Sequence, residues 1–157
     1  MNDKVIATLN ELIETSKDGE KGFALAARDT KEPELNDVFR QGEEACRAAA
    51  AELQDQARQL GGDAAEFGSM KAAAHRGWIS LKTAMSSRDD TAILEECERG
   101  EDYAQVRYGA ALNVDLPEPV RSVIERQYAG VKANHDRVRA LRNRFRDRAP
   151  RAIRSNV

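Results

Sequence analysis

Nowhere in this 157-residue sequence is there an apolar run approaching the roughly 18 residues that a membrane helix needs, so no membrane span is expected. Met1-Asn2-Asp3-Lys4 leads straight into an amphipathic pattern and not into the apolar stretch of a signal peptide. The cytoplasm is the expected location. Cysteine is scarce: Cys46 and Cys97 fall on apolar faces of expected helices, which reads as reduced core thiols and rules against a disulfide framework. Charge of either sign is barely in excess, 25 basic against 27 acidic side chains for a net of -2. A general nucleic-acid-binding protein would carry a clear basic excess, and no specific nucleic acid is expected. No alternating β-rich run competes with helix. Gly61-Gly62 follows no strand and precedes no suitably spaced lysine, so it is not a phosphate loop.

What is present is helical periodicity, with glycine and proline as punctuation. A first segment, about Asp3 to Asp29, carries the stripe Leu9, Ile13, Ser16, Glu20, Phe23 and Ala27. Thr30 to Pro33 forms a turn, and about Glu34 to Leu60 presents Leu35, Phe39, Gly42, Cys46, Ala49, Leu53 and Leu60. A shorter connector helix is expected from Met70 to Met85, with His75 and Trp78. About Asp90 to Leu112 aligns Leu94, Cys97, Glu101, Ala104, Tyr108 and Ala111. About Glu118 to Arg146 aligns Val120, Ile124, Gln127, Val131, Asn134, Val138, Leu141 and Phe145. Short turns make two antiparallel hairpins, and the long connection between them carries the chain back along the bundle. That is the all-α, ferritin-like four-helix arrangement, over residues 1–149, with a frayed basic tail at 150–157.

The stripes are interrupted by polar residues at similar heights. Folding the first hairpin about the middle of its turn sets Glu20 opposite Glu43, and folding the second sets Glu101 opposite residue 128, beside Gln127. A layer of Glu20, Glu43, Glu101 and Gln127 follows. Buried acids are costly unless paired or bound to a cation, and carboxylate layers in bundles build di-iron and di-manganese sites. The nitrogen ligands of such sites are missing: Glu43-x-x-Cys46 and Gln127-x-x-Gly130 have Glu-x-x-His spacing without the histidine. A hydrogen-bonded carboxyl pair is the alternative. Glu95, Glu98 and Asp102 form the densest acidic patch, and with His135 and His75 they are secondary candidates. Gly42, Gly130 and other mid-helix glycines point to close packing or local unwinding. From Arg137 onward eight arginines face one acid, Asp147. Arg142, Arg144, Arg146 and Arg148 offset the helix dipole or meet an acidic partner.

Six blocks in order carry a resemblance: Leu9-Asn10-Glu11-Leu12-Ile13-Glu14 with Asp18-Gly19-Glu20 and Gly22-Phe23; Leu60-Gly61-Gly62; His75-Arg76-Gly77-Trp78; Glu95 to Asp102; Leu116-Pro117; and Gln127 through Val138. Over about residues 3 to 142 the chain resembles the PA2169-like bacterial proteins (DUF2383), a family of unknown function in the ferritin-like superfamily. The resemblance implies the fold and a stress-related hint, and it raises the case for iron or manganese that the absent Glu-x-x-His motifs lower. The expected role is structural or interaction-based without turnover, the alternative a degenerate metal-binding protein. The acidic body and basic tail suit a homo-oligomer.

Overall fold

The computed structural model describes residues 2–63 and 89–155, with side chains described as far as residue 148. The expected connector helix, with His75 and Trp78, lies outside the described residues. Four helices follow in order: α1 Asn2–Asp29, α2 Pro33–Gln59, α3 Asp90–Ala111 and α4 Glu118–Ser155.

Local sequence explains where each helix begins and ends. Pro33 opens α2, where its missing N–H has no helical partner to lose. Asp89 caps α3 by accepting from the Thr91 amide at 3.0 Å. The end of α2 is a Schellman turn: the Gly61 amide bonds Arg58 O and the Gly62 amide bonds Ala57 O, both at 2.9 Å. Gly61 takes the positive φ of 79° that this turn requires. At the far end, α4 stays helical past Arg146 and Pro150 to Ser155. Proline removes one ladder hydrogen bond there, while the flanking arginines and alanines favour helix.

The helices form a ferritin-like bundle. α1 packs on α2, α3 on α4, α1 on α3 and α2 on α4. Thr30 donates to Asp90 Oδ1 at 2.6 Å, tying the end of α1 to the start of α3. The chain therefore runs up, down, down and up, and every neighbouring pair is antiparallel.

The core is divided along the bundle axis. One lobe joins Phe23, Ala27, Leu35, Phe39, Leu94, Cys97, Val138 and Phe145. The other joins Leu9, Ile13, Leu53, Tyr108, Leu116, Val120 and Ile124. Each fully buried Leu, Ile or Phe contributes about 1.5–3 kcal/mol relative to exposure. The two lobes therefore hold the fold, and the level between them is free to be polar.

Candidate functional site

Between the lobes the helices present small side chains. Gly19, Gly42, Ala45, Cys46, Ala49, Gly100, Ala104 and Gly130 line a cavity of about 480 Å³, and its wall also includes Phe23, Tyr108, Val131, Asn134, Glu101 and Arg137. The glycines act in different ways. At Gly42 a Cβ would lie 3.0 Å from the Phe23 ring, so this glycine lets α1 approach α2. At Gly130 a Cβ would meet nothing within 4 Å, so this glycine leaves space open.

Glu101 is the acid of this level. It is 5% exposed. Its Oε2 accepts from Asn134 Nδ2 at 2.6 Å, while Oε1 is buried without a partner. Burial pushes the carboxyl up to about 8, with the Asn134 hydrogen bond acting against that rise. Burial also raises both thiols, Cys46 to about 12 and buried Cys97 well above the ordinary range. Both cysteines are free and weakly reactive.

The other members of the expected layer lie in separate networks. Glu20 meets Arg47 at 3.6 Å, and Glu43 meets Arg47 at 3.3 Å and Arg40 at 2.9 Å, so these two acids are joined through a half-exposed guanidinium. Gln127 is buried and accepts from the Tyr108 hydroxyl at 2.7 Å. It donates to Glu52 Oε1 at 2.8 Å, and Glu52 in turn holds Arg126. Ser16 Oγ stands 3.5 Å from the Tyr108 hydroxyl, which extends this chain of polar groups toward α1.

The register explains why Glu101 meets Asn134 and not Gln127. Past Ala111 the backbone keeps turning, with Asn113 bonded to Ala110 O and Val114 to Ala111 O. The reversal is delayed toward Pro117, which displaces α4 by about six residues, or roughly 9 Å at 1.5 Å per residue. Glu101–Asn134 and Tyr108–Gln127 share that register. The stripe positions Ser16, Tyr108 and Asn134 carry the signal for these contacts. Glu52 stands outside the stripe and has no comparable sign in the sequence.

The secondary candidates form a further cluster on α3 and α4. Ligand atoms of Glu98, Asp102 and His135 lie within 4.8 Å of one another. His135, 3% exposed, places Nε2 2.5 Å from Asp102 Oδ1 and 3.9 Å from Glu98 Oε1. Glu98 is also held by Arg142 and, at 3.2 Å, by Arg139. Glu95 stands apart with Arg146 at 2.6 Å. Near the end of α4, Arg144 pairs with Glu34, while Arg148 lies over the Phe145 ring at 4.8 Å.

A ferritin-like bundle calls for a test of a di-metal centre. The residues do not fit one: Glu20 and Glu43 hold arginines, Gln127 holds Tyr108 and Glu52, and only Glu101 brings a free carboxylate oxygen. The Glu98–Asp102–His135 cluster is a different donor set, two carboxylates and one imidazole, which could coordinate a metal ion.

The fold and this interior define a ferritin-like four-helix bundle with one buried, unpaired carboxyl, Glu101, between its core lobes. The chain belongs to the family described as Domain of unknown function (DUF2383), whose model matches residues 4–114. No curated protein is significantly similar to it. Among the described residues no helix is long and apolar enough to cross a membrane.

Proposed function

We propose that this protein acts by binding, without turnover, and that its site is the cavity between the two core lobes. The observation that carries this reading is Glu101 Oε1, a buried oxygen without a partner on a residue that lines a partly open cavity of about 480 Å³. Leaving such a group unpaired costs about 1–3 kcal/mol or more, and a bound molecule supplying one hydrogen-bonding group removes that cost. The size and mainly apolar walls match ordinary small-molecule sites. A thermal-shift screen with small, mostly apolar fragments tests it, using Gly130→Leu to fill the cavity and Gly130→Ala as a milder version. Fragments should raise the midpoint of the wild type and lose that effect in Gly130→Leu. A fragment set that shifts neither protein, or both equally, would overturn the reading.

A second reading has its own support in Glu98, Asp102 and His135, where one divalent cation, iron or manganese, would take two carboxylates and an imidazole in place of Arg142. Anaerobic addition of Fe(II) or Mn(II), desalting and elemental analysis separates the two. Metal retained stoichiometrically by the wild type and by Glu101→Gln, but lost in His135→Ala, would favour the cation.

A further inference from the structure

Two charged side chains line the cavity, the buried acid Glu101 and the exposed Arg137, and among the described residues no ion pair joins them. Several other carboxylates at this height have a basic partner: Glu20 and Glu43 have Arg47, Glu96 has Arg99 at 2.9 Å, and Glu98 has Arg139 and Arg142. Asp102, more exposed, has His135. Glu101 forms no ion pair with any described residue, and its hydrogen bond comes from the neutral amide of Asn134. Arg137 also lines the cavity, but its Nη2 donates to Asn134 Oδ1 at 3.1 Å.

Two hydroxyls of the wall already donate within the protein. Thr15 donates to Glu11 O at 2.8 Å, and the Tyr108 hydroxyl donates to Gln127. Ser16 stands against the Tyr108 oxygen. A ligand would therefore meet a buried, unsatisfied acidic oxygen above walls built from Phe23, Ala49, Ala104, Gly130 and Val131, with exposed Gln41 and Arg137 also on the lining. Hydrogen bonds from an ionised donor to a carboxylate are shorter and roughly twice as strong as neutral ones, and an acid without a cation is the arrangement that buried sites avoid.

We infer that the cavity takes a small amphipathic amine, its ammonium donating to Glu101 Oε1 and its apolar body lying against Phe23, Ala104 and Val131. This assignment rests on the reading of the cavity as the binding site. It sets a cation on the Glu101 oxygen that no described group bonds and fills the space that the small residues leave.

The test compares phenethylamine with phenethyl alcohol, which share shape and differ in charge, by calorimetric titration at about pH 8.5, where an amine with an ordinary pKa near 10 stays protonated. The proteins are the wild type, Glu101→Gln and Gly130→Leu, each checked for helicity by circular dichroism. The wild type should bind the amine about tenfold more tightly than the alcohol, equivalent to about 1.4 kcal/mol. Glu101→Gln should lose that preference while still binding the alcohol, and Gly130→Leu should bind neither. Equal affinity for amine and alcohol in both the wild type and Glu101→Gln would overturn the amine while leaving the cavity as a site. Failure of the wild type to bind either compound would overturn both.

Discussion

The core lobe around Phe23 and Phe39 and the level around Glu101 lie within a few helical turns of each other on the same four helices, yet they are packed in opposite ways. In the lobe, Phe23 and Phe39 set their ring centroids 6.3 Å apart and Leu35, Ile93 and Leu94 are fully buried. At the level below, glycine and alanine recur on all four helices, and the space they leave is not refilled by larger neighbours. Protein interiors are ordinarily packed to crystal-like density. The contrast shows that the lobes carry stability and the middle is relieved of it, so substitutions at the two levels should differ in sign as well as size.

Phe39→Ala should show the largest effect, a loss of about 3–5 kcal/mol, as expected for a fully buried aromatic. Urea unfolding measures it, and a loss below about 1 kcal/mol would mean that the lobe is not the packed element described.

The next effect in size belongs to Glu101 and shows in the pH profile. Its folded pKa is raised from 4.5 to about 8, so between those values the native state keeps a proton that the unfolded chain releases. That contribution is complete below the unfolded pKa, falls as pH rises through the window, and changes no further above the folded value. The total is several kcal/mol. Unfolding midpoints measured across the window should fall more steeply for the wild type than for Glu101→Gln. Parallel profiles would place Glu101 in solvent and erase the difference between the levels.

Gly130→Ala should give the smallest effect and one of opposite sign, a gain of about 1 kcal/mol. Alanine favours helix over glycine by that amount, and its Cβ would meet nothing within 4 Å. A loss of stability would show that the cavity closes around Gly130 in solution.

Much of the bundle could be read before any coordinates. Ala27 of α1, Leu35 of α2, Leu94 of α3 and Val138 of α4 are stripe residues and all are buried in one lobe, because steps of three and four residues place side chains on one helical face whatever surrounds them. The candidate site was less legible. Its polar members occupy stripe positions, and periodicity alone cannot distinguish an acid that faces a partner across a helix pair from one that faces an arginine at the rim. Glu101 and Glu20 have similar neighbours in sequence, yet one is 5% exposed and the other meets Arg47 beside solvent.

The sequence by itself determined four amphipathic helices, their turns and the polar character of the middle, since each depends on residues near one another in the chain. Tertiary structure alone decided which polar groups meet. The extra turns from Asn113 to Val114 move α4 by roughly 9 Å along α3, giving Glu101 to Asn134 and Gln127 to Tyr108. Hydrogen bonds require their atoms within about 3.2 Å, so a displacement that leaves every apolar stripe in place is enough to exchange every polar partner.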